Sequence, residues 1–202
     1  MTTKRALDVV LSGLGLVLSA PLSVAIALAI KIEDGGPVFY AQGRVGEGGR
    51  AFDALKFRSM IPDAERGVGP VQAVERDPRV TRVGTLLRAT ALDELPQLWN
   101  IFRGDMSVVG PRALRPEEIE VDANGARVPL HAIPGFPERT SVPPGLTGIA
   151  QIYAPRDVSR RQKFRFDLLY IRRRSLLLDL RLILVSFWIT LRGAWEARER
   201  KF

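Results

Sequence analysis

From Val9 to Ile30 the sequence VVLSGLGLVLSAPLSVAIALAI carries no charge and is bounded by Asp8 and Lys31. As a helix this run is long enough to reach across a bilayer, which takes about 20 apolar residues. A cleaved signal peptide would end at a small-residue site before a polar mature chain. Here the apolar run continues well past Ser19-Ala20-Pro21, which argues against cleavage. Pro21 removes a backbone donor and crowds the carbonyl four residues earlier, so the helix is expected to kink or break there, with Ser19 and Ser23 able to satisfy the freed groups. Lys4 and Arg5 precede the run, and Lys31, Arg44 and Arg50 follow it. Basic residues favour the cytoplasmic side, so both flanks are drawn to the same face. A helix that enters, bends at Pro21 and leaves by that face meets this demand and is the expectation. A straight span with a tolerated proline kink is the alternative.

The 202 residues suit one domain, 1–202, with residues 1–32 as the membrane segment and 33–202 as the cytoplasmic catalytic and interfacial part. A net charge of +8 fits polyanionic partners: nucleic acid, phosphate-bearing substrates or an anionic membrane face. No recognisable nucleic-acid motif accompanies it. The absence of cysteine excludes disulfides, thiolate zinc sites and a cysteine nucleophile. A single histidine, His131, argues against a histidine triad or metal cluster and reads as a loop residue.

Alternation at Val38-Phe39-Tyr40 and from Ala51 to Phe57 predicts short strands joined by the glycine-rich turn Arg44 to Arg50. Ile61 to Pro78 and Val128 to Pro144 read as loops. Helical spacing returns at Thr85 to Arg88, and from Asp93 to Phe102, where Leu95, Leu98, Trp99 and Phe102 share a face. Ser159 to Tyr170 is basic and amphipathic. Ser175 to Leu191, with Phe187, Trp188 and Trp195 beside Arg192, Arg198 and Arg200, fits a helix lying in the headgroup plane or a buried core helix with a charged tail. The fold expected is mixed α/β and mostly helical. It has a small strand element, an N-terminal re-entrant membrane helix broken at Pro21, and interfacial amphipathic helices.

Reactive residue types are densest between Arg88 and Pro116. Asp93 and Glu94 stand at an expected helix start, since Pro96 is acceptable only in a first turn, and the helix dipole favours their ionised forms. An ionised Asp can attack a phosphoryl group or hold magnesium. Arg88, Arg112 and Arg115, with Lys56 and Arg58 from the preceding strand, can bind phosphate oxygens. Read from the residues alone, acids at a helix start are more often capping residues than reactive ones.

The strings KFRSM (56–60), DPRVTRVGTLLRATALDELPQLWNIFRGDMSVVGPR (77–112), PGLTGIAQI (144–152) and FDLLYIRRRSLLLDLRLI (166–183) resemble the bacterial sugar transferases, the monotopic phosphoglycosyl transferases. The resemblance implies transfer of a sugar 1-phosphate from a nucleotide diphosphate sugar, usually a UDP-sugar, to polyprenyl phosphate at the bacterial inner membrane. The active site would face the cytoplasm, and the reaction would begin assembly of a surface glycan. It further implies that Asp93 is the nucleophile and that Glu94 assists, with the pair holding Mg2+. Arg112 would bind phosphate, and Lys56 and Asp167 would belong to the site. Two departures stand out: Ser19-Ala20-Pro21 replaces the family's Ser-Pro pair, and Ala113 stands where a proline is common. Two rival classes are a basic membrane-tethered binding module and a diphosphate hydrolase using the same acids. The sugar, the nucleotide, the polyprenol length and the oligomeric state are not encoded legibly.

Overall fold

The computed structural model describes residues 2–64, 77–121, 126–155, 158–193 and 195. It opens with helix α1 (Thr3–Asp34), started by the Thr2 hydroxyl accepting from the Arg5 N–H and stopped at Gly35, where φ is 71°. The break expected at Ser19 and Pro21 is not seen, because both residues lie inside one continuous helix. A proline costs the helix one backbone bond, and packing on either side compensates. On the N-terminal side, Gly13 and Gly15 let Phe102 and Leu98 approach closely; a Cβ on Gly15 would stand 3.0 Å from Leu98. On the C-terminal side, Ile26 and Ile30 are buried with Phe57 and Leu87. Between these contacts the helix is bare, with Val17 and Leu18 72% and 78% exposed. It is the one helix, among the described residues, long and apolar enough to cross a membrane.

Both ends of α1 are tied to the same body. Near the start, Arg5 donates to the Ile101 and Phe102 carbonyls at 2.5 and 2.7 Å. At the other end Asp34 accepts from Arg58 at 2.6 Å, and Glu33 accepts from the Arg82 and Val83 amides.

The expected hairpin forms. β1 (Phe39–Val45) pairs antiparallel with β2 (Ala51–Phe57), Phe39 opposite Phe57, and the turn uses Gly48 and Gly49 at positive φ. Helix α2 (Arg82–Thr90) follows, capped by Thr81. Asp93 and Glu94 do not start the next helix. They occupy a separate 3-10 turn (Leu92–Glu94), entered through Ala91 at φ 55°, and α3 (Gln97–Arg103) begins after Pro96.

Two further strand pairs were not anticipated, since three-residue strands carry no readable alternation. β3 (Ser107–Val109) runs parallel with a later strand, Gly145–Thr147, while β4 (Ile119–Val121) and β5 (Arg127–Pro129) form a small antiparallel ribbon. The segment read as a loop from Val128 to Pro144 therefore contains the end of β5, a 3-10 turn and the short helix α4 (Phe136–Arg139). Of the loop expected over 61–78, residues 65–76 lie outside the described residues. The strand Gly145–Thr147 is β6, followed by α5 (Ile149–Tyr153), α6 (Arg160–Arg173) and α7 (Leu176–Leu191).

Helix α7 divides cleanly. Asp179, Leu182 and Ile189 are buried, the two apolar ones beside Val109, Ile152 and Tyr170, whereas Leu177, Leu184, Phe187 and Leu191 lie open. One face is thus core, as the buried-helix reading expected, and the other is apolar and exposed. Arg198 and Arg200, read with it, lie outside the described residues. The fold is mixed α/β and mostly helical, with an N-terminal apolar helix suited to membrane association.

Candidate active site

The helix end at Ala91, the 3-10 turn and strand β2 bring Lys56 against the acidic pair. Lys56 Nζ lies 2.5 Å from a Glu94 oxygen and 3.9 Å from Asp93, and Arg112 reaches Glu94 at 3.7 Å. Lys56 arrives there from the end of β2, where Lys56 and the buried Phe57, on opposite faces of the strand, both border the cavity. All of these residues line one cavity of about 1690 Å³, together with Arg88, Arg44, Arg115, Arg139 and Asp167. Its apolar wall includes Leu11 of α1, Leu98 of α3 and Ile183 and Phe187 of α7. The polar centre thus communicates with the two helices whose outer faces are bare.

Adjacent carboxylates in one environment normally resist double ionisation. Here burial, the largest effect, pushes the Asp93 carboxyl up to about 6, against the pull of Lys56 and with a further push from Glu94. Burial also opposes ionisation of Glu94, but Lys56 and Arg112 together outweigh it and hold that group well below the usual carboxylate range. The result is an anchored, permanently charged Glu94 beside an Asp93 that is ionised at neutral pH and lacks so close a cation. That division of roles suits one supporting carboxylate and one reactive carboxylate.

Arg58, expected as a phosphate ligand, is placed otherwise. Although it borders the cavity, its guanidinium is taken up by Asp34 and by the Pro37 and Met60 carbonyls. It fastens the C-terminal end of α1 to the end of β2. Asp167 has a structural partner as well. It forms an ion pair with Arg139 at 3.0 Å, each side chain 3% exposed, and receives a bond from the Arg112 backbone N–H. Arg139 in turn donates to the Arg112 carbonyl. The buried pair therefore grips both sides of the Arg112 residue, and burial raises the Asp167 carboxyl despite Arg139. Arg88 exerts a favourable charge effect on Asp93 from the cavity wall.

Two cavity-lining arginines escaped the sequence reading. Arg139 sits in a proline-rich segment that carries no pattern, and Arg44 was read only as a flanking charge. Arg44 is buried, donates to the Ala113 carbonyl at 2.8 Å, and has its guanidinium pKa lowered to about 10 by burial and by repulsion from Arg112. No local signal reveals either one, because the contacts that bury them, Arg44 with the Ala113 carbonyl and Arg139 with Asp167, reach far along the sequence.

Among the described residues no three Asp, Glu or His side chains gather as a metal cage. The dyad alone does suit magnesium in its common mode, with one or two protein carboxylates and the remaining ligands from substrate phosphates and water.

The sequence pattern defining bacterial sugar transferases matches residues 1–193. The chain belongs to the bacterial sugar transferase family. As a bacterial sugar transferase it is a phosphoglycosyl transferase, in keeping with its relatives. The exopolysaccharide production protein ExoY of Rhizobium meliloti is 40% identical over 191 residues, covering 88% of this chain and 80% of that protein. The UDP-glucose:undecaprenyl-phosphate glucose-1-phosphate transferase of Caulobacter vibrioides is 45% identical over 186 residues, covering 90% and 67%. The undecaprenyl-phosphate glucose phosphotransferase of Komagataeibacter xylinus is 41% identical over 193 residues, covering 92% of this bacterial sugar transferase and 35% of that longer protein.

Proposed function

We propose that this chain transfers a sugar 1-phosphate from a UDP-sugar to polyprenyl phosphate, by way of a phosphosugar covalently held on Asp93. The observation that carries the reading is the split dyad: Asp93 with its pKa near 6, beside a Glu94 fixed by Lys56 and Arg112, in a cavity that opens toward the bare helices. In the first step an Asp93 oxygen bonds to the sugar-bearing phosphorus, and the bond from that phosphorus to the bridging oxygen breaks, releasing UMP. In the second, a phosphate oxygen of the polyprenyl phosphate attacks the same phosphorus and frees the Asp93 carboxylate. Arg112 and Arg88 hold phosphate oxygens, and Lys56 keeps the dyad ionised. Mg2+, held by Asp93 and Glu94 when bound, would offset diphosphate charge and improve the leaving group.

The same reading takes residues 1–32 as a re-entrant segment and 33–202 as the cytoplasmic part of one domain, at the inner membrane of a bacterium, with membrane lipids as neighbours. It is supported by the attachment of both ends of α1 to one body, which a straight crossing would force through the bilayer. Cysteines at Thr2 and at the exposed Glu47, near Arg44, should be labelled from the same side; labelling from opposite sides excludes this path.

The test of the reaction is UMP release from a panel of UDP-sugars by detergent-solubilised protein with magnesium and polyprenyl phosphate. Lipid-dependent release from one donor, abolished in Asp93→Asn, is expected. Release of free sugar phosphate without the lipid would indicate a hydrolase, and no release from any nucleotide sugar would indicate a binding module.

A further inference from the structure

Strand β3 ends one residue before Gly110-Pro111-Arg112, so whatever fixes β3 fixes the approach to the phosphate-binding arginine. β6 holds β3 by parallel pairing. Side chains from distant helices hold it as well. Asp8 of α1 accepts from the Val108 N–H at 2.9 Å and from the Ser107 hydroxyl at 3.0 Å. The Val109 carbonyl accepts from Lys4 Nζ of α1 and from the Tyr170 hydroxyl of α6, each at 3.0 Å. Asp179 of α7 closes the circuit, accepting from Lys4 at 2.7 Å and from Tyr170 at 2.8 Å. Tyr170 and Asp179 are each 2% exposed and Val109 is 1% exposed, so the bonds among these three are shielded from water and strong, while the Lys4 side chain stays 30% exposed. Two charges from the apolar N-terminal helix thus complete the polar bonding of an active-site strand. A purely anchoring helix has no need of a buried carboxylate such as Asp8, 4% exposed, since burying a charge is costly unless it is paired.

We propose that Lys4 and Asp8 of α1, with Tyr170 and Asp179, are positioning residues for Arg112, so that the seating of the apolar helix sets how the phosphate site is held. The proposal rests on the phosphate-binding role given to Arg112 above. The lipid-facing helix and the catalytic loop then form one mechanical unit, and the enzyme is competent only when α1 is seated.

Tyr170→Phe and Lys4→Met test this in the full-length protein, with Lys4→Arg as the conservative control, each made in the native and the Arg112→Ala backgrounds. Acting through Arg112, both substitutions should lower kcat/KM for the UDP-sugar on the order of tenfold, the scale of a lost buried charge-assisted bond, and Lys4→Arg should keep most of it. In the Arg112→Ala background the same substitutions should have almost no further effect, whereas general destabilisation would cost the same factor in both. Hydrogen exchange supplies a reading independent of turnover: the peptide covering Val108 to Leu114 should exchange faster in Tyr170→Phe while the β1–β2 hairpin is unchanged. Equal losses in both backgrounds, no loss in the native background, or unchanged exchange in that peptide each overturns the proposal. Wild-type protein that releases no UMP counts against the reaction alone, because the exchange comparison still decides the positioning role.

Discussion

Lys56→Met should move the acid limb of the pH–rate profile upward. On the proposed mechanism the Asp93 carboxylate attacks in its ionised form, so activity should fall as pH drops through its pKa, near 6 in the native site. Lys56 Nζ lies 3.9 Å from Asp93 and 2.5 Å from Glu94. At an effective dielectric of about 20, a charge pair about 4 Å apart is worth about 4 kcal/mol. Allowing for water at the cavity and for the methionine's loss of charge only, about half of that survives, roughly 2 kcal/mol, which places the new limb near pH 7.5. At pH 7 the ionised fraction then falls from about nine-tenths to about a quarter, and at pH 6 from about half to about one-thirtieth. The limb belongs to the coupled pair, because Glu94 also loses its closest cation and retains Arg112. Single-turnover UMP release between pH 5 and 9 measures it. A profile that drops in height with its acid limb still near pH 6 refutes the reasoning, and would mean that Lys56 acts on substrate and not on the dyad.

Asp167→Asn leaves the Arg139 charge buried without its counter-ion, and should lower stability by about 3–5 kcal/mol in a thermal or denaturant melt; replacing Arg139 by Met in the same protein should recover part of that loss. Leu184→Asp on the open face of α7, where Leu184 is 70% exposed, should leave the melt nearly unchanged but weaken co-flotation with anionic vesicles by tenfold or more, on the order of the transfer free energy of one leucine. Gly145→Ala places a Cβ 2.0 Å from the Gly110 amide nitrogen, so β6 must shift away from β3; a loss of more than about 3 kcal/mol is expected, with activity falling alongside.

Much of the candidate site was legible because its members are close in sequence. Asp93 and Glu94 are adjacent, Arg88 and Arg112 flank them, and the run that contains them is distinctive. The hairpin was legible for a similar reason, since alternation and a glycine-rich turn are local properties. The capping explanation of the acids did not survive, because Ala91 in the left-handed region ends α2 and opens a separate turn, and no periodicity announces a single residue of positive φ. Arg58 shows the same limit from the other side. Its residue type and strand position suit phosphate, but Asp34, 24 positions away, claims it.

By itself the sequence determined the apolar N-terminal helix, the basic charge, the hairpin and the chemical types gathered around Asp93, since each is written in neighbouring residues or in composition. The tertiary structure decided which charges gather at the candidate site and which are spent on the fold, how α1 is tied at both ends, and which side chains bond to the segment around Arg112. Those outcomes depend on partners tens of residues apart, such as Arg139 with Asp167 and Lys4 with Asp179. Their identity follows from packing in three dimensions, where burial decides whether an ion pair forms and how far a carboxyl is shifted.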